Sequence, residues 1–585
     1  RKFRIATALI QVMLGGAVGL ALQAPAWQAA HAGIAQPRAN ARWSATMQVA
    51  EPAATTTKRK VVVIGAGWGG LSVANQLSME PDVEVTVVDA APRAGGLVSD
   101  SFLTPGGRRA EAGQHGFWAE YANIFKLIDS LQLPEDPLTG YAEQGQYSPA
   151  GLEAVWPVYK EQKQQLPTGL GQALYTRFLK LPATDLASAA PLVLAFSEFD
   201  DSPEAWARYD RISFLDLCMK LGVSRRTYDE VFEPMVLTGL FAPGNQCSAA
   251  AALGMAYFFV LKHQTSFDVR WCKGNVGEKI FQPWVEQMRQ RGVSFLTSTR
   301  ATGFVTAAQR AGASAGAAPT SAGAEIGRDG AEIAAVECSA EGGEQVTLES
   351  DTVVFAVGAQ ALASMVRGSP ELSCHAEWRR YSSLRGTSVL ATRLYLDTTI
   401  ETPHTANACW GFDAGVGMTW FDIGRLHELE GEQGSVIEVD YYHAQTLLPM
   451  DDAALTAKAK ADLDTMLGAT CRAAKVVDAA IVRLPAAVNW YYPGSYADLP
   501  DLRSKATRNA FFVGDLVKSR HGSWSQEKAY VVGLEAANAI LGRPADHGIV
   551  PLDEDEPHVA AGRKAIGAVR GLLGDRTPSL ADFLF

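Results

Sequence analysis

The stretch VVVIGAGWGGLSVANQL, residues 61–77, sets Gly65, Gly67 and Gly70 in the spacing GxGxxG. An apolar, β-branched run precedes it and an apolar-periodic segment follows, so it reads as strand, tight turn and helix. The first glycine permits the turn, the second lets backbone approach a pyrophosphate, and the third allows close helix–strand packing. The helix N-terminus then offers free N–H groups and a positive dipole end to phosphate oxygens. An acid that holds ribose hydroxyls belongs about 20 residues further on. Asp89 closes the next predicted strand, VEVTVVD, in that position. Strand, turn, helix and acid in register predict a bound dinucleotide.

Shortly after Asp89 comes AAPRAGG, with Gly95 and Gly96 as a second glycine pair. By itself such a pair marks an ordinary loop. Beside a ribose acid it lets a second backbone stretch close over the same ligand. That enclosure suits a resident FAD better than a mobile NAD.

GAGWGGLSVANQL, VVDAAPRAGGLVSD and EAGQHGFWAEYANIFKLIDSLQL together resemble the flavin-dependent amine oxidase and phytoene desaturase superfamily. The resemblance implies that Gly65, Ala66, Gly67, Trp68, Gly69 and Gly70 meet the FAD pyrophosphate. Asp89, Ala90, Arg93, Gly95, Gly96 and Leu97 would wrap the adenosine ribose and pyrophosphate, although the family often has Arg or Lys where Leu97 stands. Gly113, Gln114, His115 and Gly116 would approach the flavin. FFVGDLVKSRHGSWSQEKAYVVGLEAAN, residues 511–538, is similar to the family's closing FAD motif. It implies contacts from Gly514, a ribityl hydrogen bond from Asp515, and Ser525, Gln526 and Ala529 near the flavin pyrimidine edge. Lys528 stands where the family often has glycine. Ala301, on a strand near Arg300, is the expected adenine contact.

The resemblance spans roughly residues 58–545 and implies an α/β fold. A Rossmann-like FAD-binding domain of the glutathione-reductase type would carry an inserted substrate domain of mixed sheet and helix. The FAD-binding domain is expected from 58–150, 270–365 and 490–545, and the substrate domain from 151–269 and 366–489. Within these, 184–196, 248–263 and 281–292 read as helices, and RLYLD (393–397) and SVIEVDYYHA (435–444) as strands. AEIAAVEC and EQVTLES (331–338 and 344–350) read as a hairpin. Residues 307–325, rich in Ala, Gly and Ser, read as a surface insertion, and 546–585 as a tail.

Residues 1–57 stand apart. Arg1, Lys2, Arg4, Arg38 and Arg42 precede the first acid, Glu51, and 5–22 are almost wholly apolar or small. A targeting peptide, a secretory signal and a membrane anchor all fit. With the desaturase likeness, the first of these implies a plastid location and membrane association.

At 585 residues, 47% hydrophobic and 20% charged, the composition is that of a globular chain. Its net charge of −11 excludes a broad nucleic-acid surface. Seven scattered cysteines, without a CxxC pair, argue against zinc or a disulfide framework, and no metal is expected.

The middle of the chain resembles the carotenoid desaturase branch, which implies an apolar polyene substrate, desaturated or isomerised, and a quinone as electron acceptor. Phe232, Phe241, Met255 and Phe258 are candidate pocket walls or plain core. The alternatives are a flavin amine oxidase, with an aromatic cage in NWYYPGS (489–495), and a flavoprotein with a non-catalytic partner role. Catalytic residues are not assigned; His115, as a proton-handling group, and Lys273, as a water-positioning lysine, are the weak candidates.

Overall fold

The computed structural model describes residues 58–314 and 331–573, and these form one compact unit. Its cofactor-type half is a five-stranded, wholly parallel sheet in the order Ser294–Leu296, Val83–Val88, Arg59–Ile64, Thr352–Phe355, Ala510–Phe512. Val, Ile and Phe dominate these strands because helices cover both faces of a parallel sheet. Val61 to Ile64 and Val353 to Phe355 are all buried. Helix Trp68–Leu77 lies against helix Gln526–Leu541 over a seam of small residues. A Cβ on Gly533 would come within 2.5 Å of the Gly69 carbonyl oxygen, so glycine is what permits this approach. At the head of that seam Trp68 is boxed by Phe117, Phe281, Trp284 and Tyr530, the nearest ring centroid being 4.6 Å away.

The second half is built on an eight-stranded mixed sheet. From Val476–Asn489 it runs through Gly386–Leu396, Val436–Tyr442, Gly417–Asp422 and Ala406–Cys409 to Gln144–Ser148, Gly151–Trp156 and Arg177–Phe178. Every pairing is antiparallel except that of Ala406–Cys409 with Gln144–Ser148. A three-stranded meander, Thr299–Thr306, Ile333–Ala340 and Gln345–Glu349, flanks the parallel sheet and contains the predicted hairpin.

Three local expectations change. Gln144–Ser148, placed by sequence in the cofactor segment 58–150, is a strand of the second sheet, because the Pro149–Ala150 turn folds it onto Gly151–Trp156. The helix read over 184–196 is two helices, Ala183–Ala187 and Leu192–Glu198, with Pro191 starting the second. The helix read over 248–263 is regular only over Ala249–Ala256 and widens to a π-turn at Tyr257–Leu261. Of the Ala/Gly/Ser-rich insertion, Ala307–Ser314 is helical and the remainder lies outside the described residues, as do the leader expectations for 1–57. Helix Pro557–Leu573 lies in the tail. No helix among the described residues is long and apolar enough to cross a membrane.

Helix Ala122–Leu131 starts without a side-chain cap of its own. The Glu527 carboxylate caps it from across the fold, accepting from the backbone N–H groups of Asn123 (2.9 Å) and Ile124 (3.0 Å) and from Asn123 Nδ2 (2.8 Å). Replacing Glu527 with Ala should orphan these buried donors and cost about 3 kcal/mol. Gln keeps one acceptor and should cost about 1 kcal/mol. The urea midpoints of the two variants, ranked against the parent, measure this.

Candidate functional site

The GAGWGG turn leaves its helix open. Gly67 occupies the N-cap without a side-chain acceptor, so the first-turn N–H groups of Trp68–Leu77 stay available to an anion. Gly65 sits at φ +110°, and a Cβ there would lie 2.2 Å from the Ala356 carbonyl oxygen. A Cβ on Gly70 would lie 2.0 Å from the Gly65 oxygen. Both positions therefore exclude any side chain. Gly67 differs: its Cβ would meet only Gly96 Cα, at an ordinary 3.7 Å.

The second glycine pair closes onto this turn. The Gly95 N–H donates to the Ala66 carbonyl (2.8 Å), and the Ala66 N–H donates to Asp89 Oδ2 (2.6 Å). Asp89 Oδ1 accepts from the Ala91 N–H at 2.7 Å. Burial pushes the Asp89 carboxyl above its ordinary range, against the opposing pull of these two N–H groups. Gly96 and Leu97 remain exposed beside Gly67, and Ala90 is exposed next to Asp89. The Thr299 N–H donates to the Asp89 carbonyl (2.8 Å), which brings the strand bearing Ala301 alongside the ribose acid.

Arg93 behaves differently from its neighbours. Its guanidinium is committed to Asp100, with contacts of 2.7 and 3.2 Å, and faces a polar cleft of about 480 Å³ shared with Asn275, Gln282, Arg393 and His427. None of the glycines of GAGWGG or of the Gly95–Gly96 pair lines that cleft.

The closing motif arrives at the same groove. Gly69 approaches both Gly514 N and the Ala529 carbonyl, at 3.0 and 3.1 Å from where its Cβ would stand. Gln526 accepts from Trp68 Nε1 (2.8 Å) and donates to the Gly116 carbonyl (2.9 Å). Ser525 caps helix Gln526–Leu541, the closing helix of this motif, by accepting from the Lys528 N–H. Asp515 keeps part of its surface exposed, while one carboxylate oxygen accepts from Asn489 Nδ2 at 2.7 Å. Desolvation raises the pKa of its carboxyl, with Lys528 and Asn489 acting in the opposite direction.

The segment Gly113–Gly116 rests on the second sheet. Gln114 donates to Glu438 (3.0 Å) and meets His427 Nε2 (3.1 Å), and a Cβ on Gly113 would lie 2.9 Å from Asp440 Oδ2. Beneath it, Glu111, Glu438 and Asp440 share a single guanidinium, that of Arg393, 2.6 Å from Glu438. Burial pushes the Glu111 and Asp440 carboxyls well above the ordinary carboxylate range, against the pull of Arg393. His115 is half-exposed, and desolvation pushes its imidazole down to about 4, so it is neutral there. Lys273 turns to the periphery, 3.9 Å from the exposed Glu428.

Sequence reasoning missed this acid–arginine cluster, although two acids alternating within the apolar strand VIEVDYY were a visible signal. It also missed Asn489, which no pattern marks. Its side chain accepts from the Ala359 N–H (2.8 Å) at the start of helix Ala359–Gly368 while donating to Asp515. Of the candidate walls, Met255 and Phe258 are core, and Phe232 packs on Phe214. Phe241 joins Tyr442 of the second sheet (4.7 Å) to Trp524 of the closing motif (5.3 Å).

The site fits a large polar ligand. His115 Nδ1, His521 Nδ1, Ser523 Oγ and Trp524 Nε1 are buried polar atoms without a protein partner, all from the two segments expected to flank a flavin. Together with a side-chain-free pyrophosphate cradle and two helix N-termini, this donor set suits FAD. Fold and site define a flavin-binding protein built on two sheets.

The comparisons narrow that class. A sequence model of the family described as flavin containing amine oxidoreductase matches residues 68–541, and the chain belongs to that family. FAD is the cofactor that this membership and the site support. Over 247 residues it is 27% identical to the chloroplastic/chromoplastic zeta-carotene desaturase of Zea mays, covering 41% of this chain and 42% of that protein. Over 260 residues it is 27% identical to the carotenoid phi-ring synthase of Chlorobaculum tepidum, covering 43% and 38%. The chain thus spans about two fifths of the length of these curated relatives. Among solved structures, cyclohexylamine oxidase from Brevibacterium oxydans superposes with TM-score 0.57 at 15% identity, covering 83% of this chain and 99% of that one. Reduced UDP-galactopyranose mutase gives 0.56 at 14%, covering 87% and 98%. These likenesses confirm the expected two-part fold.

Gly67 separates folding from binding. Gly67→Ala should leave thermal stability within about 1 kcal/mol, because its Cβ meets no clash, yet lower FAD affinity at least tenfold by crowding the pyrophosphate. Gly70→Ala should instead prevent folding. Flavin absorbance per mole of purified protein, with the melting curve, checks both.

Proposed function

We propose that this enzyme dehydrogenates an apolar polyene of the carotenoid class at the groove between Gly113–Gly116 and Ser525–Gln526. The observation that carries the reading is a row of aromatic rings leading away from that groove. Tyr442, Phe241, Trp524, Phe259, Trp118, Phe267 and Trp156 follow one another with centroid spacings of 4.7 to 5.9 Å. A long uncharged polyene is recognised by shape and flat apolar walls rather than by ionic anchors. The zeta-carotene desaturases among the relatives support the same substrate class.

Bound FAD supplies a hydride acceptor at flavin N5. The protein's part is to hold and orient. The Gly65–Gly70 turn and the Gly95–Gly96 pair carry the pyrophosphate, Asp89 and Asp515 the two sugar-like chains, and Ser525 and Gln526 the pyrimidine edge. Arg93, whose charge Asp100 neutralises, acts by bracing the loop that ends in Gly95. His115, which desolvation keeps neutral at working pH, offers the groove an uncharged imidazole rather than a proton acceptor.

Removal of two hydrogens requires an electron outlet, and a membrane quinone suits an enzyme whose substrate dissolves in lipid. Leu170, Leu174 and Leu179 are 50%, 63% and 56% exposed within one short stretch of the helical region, an apolar face suited to peripheral contact with a membrane. The chloroplastic desaturases among the relatives support a plastid membrane as that surface.

Expression in a carotenoid-producing host should shift the pigment profile toward more conjugated products. Rapid reduction of the bound flavin by putrescine, with unchanged pigments, would instead establish the amine oxidase reading. Leu174→Ser should reduce co-sedimentation with liposomes severalfold and leave flavin content unchanged.

A further inference from the structure

Lys528 is the third residue of the closing helix, and its side chain is 2% exposed. Burying an ammonium is costly unless a counter-charge and hydrogen bonds replace its water. Here Nζ donates to the Ser523 carbonyl at 3.0 Å, and no carboxylate among the described residues lies within 4 Å. Its electrostatic neighbours stand further off: Asp515 on the adjoining turn, Asp201 on the helical segment, and Glu535 on its own helix. Arg520 and His521 add no negative charge. Glu527, next in sequence, is turned away to cap Ala122–Leu131. The buried ammonium therefore sits between Ser523, whose hydroxyl has no protein partner, and Asp515, the expected ribityl ligand.

We infer that Lys528 is a positioning charge for the cofactor, one that offsets the negative charge reduction places on the flavin and thereby raises this protein's reduction potential. Two electrons and one proton, entering as hydride, leave the bound flavin with one added negative charge. The ammonium and the helix N-terminus then face that charge at a site shielded from water, where Coulomb interactions are strong. This residue replaces a frequent glycine, so the device belongs to this chain. The inference rests on the proposed flavin placement at Ser525–Gln526, but not on the identity of the substrate.

Desolvation lowers the Lys528 ammonium to about 8. Reduction of a neighbouring flavin to an anion raises it again. At pH values above about 8, reduction should therefore draw in one further proton, and the potential should fall more steeply with pH.

The test is dye-equilibrium potentiometry on the FAD-loaded full chain. Lys528→Met should make reduction at least tenfold less favourable at pH 7, about 30 mV for a two-electron couple. Lys528→Arg should preserve the potential. In the parent the slope should steepen by about 30 mV per pH unit above about pH 8, and the Arg variant should lack that break. An unchanged potential in flavin-replete Lys528→Met overturns the inference. Should that variant fail to hold FAD, the parent decides: a break supports the inference and a straight line overturns it. Ser525→Ala tests the placement separately, since unaltered flavin absorbance and FAD affinity there would overturn the placement itself.

Discussion

The Gln526 side chain occupies a position on which the whole site depends. It accepts a hydrogen bond from the indole of Trp68 and donates one to the Gly116 carbonyl, joining segments 458 and 410 residues away in sequence. Two helix N-termini, those of Trp68–Leu77 and Gln526–Leu541, must open onto one groove if a cofactor is to be held from both ends. That demand explains the small residues along the helix seam. It explains the aromatic box around Trp68, which fixes the indole that Gln526 reads. It also explains why Glu527, one residue on, is given wholly to capping a neighbouring helix. The first turn of the closing helix divides its side chains among three neighbours, and each direction is used.

The electrostatics around the groove are organised by burial more than by pairing. Asp89 and Asp515 are carboxyls held by N–H donors, with desolvation working against their charge. Beneath Gly113–Gly116, three acids share one guanidinium, and burial raises the carboxyls of Glu111 and Asp440. On the closing helix, Lys528 supplies a buried positive charge held by the Ser523 carbonyl, with no carboxylate among the described residues in an ion pair with it. A buried acid cluster and a buried cation thus adjoin the two segments expected to flank the flavin, and burial raises the one set of pKa values and lowers the other.

The fold was legible in the sequence wherever chemistry imposes steric rules. GxGxxG, Asp89 and Gly95–Gly96 can be read because a Cβ at Gly65 or Gly70 would strike backbone, and no alternative residue satisfies that geometry. The strands Arg59–Ile64 and Val83–Val88 were equally plain, being rich in valine. Residues whose partners are set only by the tertiary fold were not legible. Asn489 is one polar residue before an aromatic run, and its role exists only because Ala359 and Asp515 converge on it. Gln144–Ser148 was assigned to the wrong sheet because a short polar strand carries no sign of its partner, and Ala406–Cys409 lies about 260 residues away. Arg93 was legible as a residue near the cofactor loop, but not as one whose charge is spent on Asp100.

The order of the parallel sheet bears on how this protein is made. Arg59–Ile64 is an interior strand, flanked by Val83–Val88 on one side and by Thr352–Phe355 on the other, with Ala510–Phe512 beyond. The GAGWGG turn therefore emerges from the ribosome long before the chain that walls it in. At about 5–20 residues per second, roughly 25 to 90 seconds separate synthesis of Trp68 from that of Gln526. For that interval the nascent chain carries a half-built nucleotide cradle and an uncovered sheet edge rich in valine. The two helices that open onto the cradle, Trp68–Leu77 and Gln526–Leu541, therefore meet only when synthesis is nearly complete.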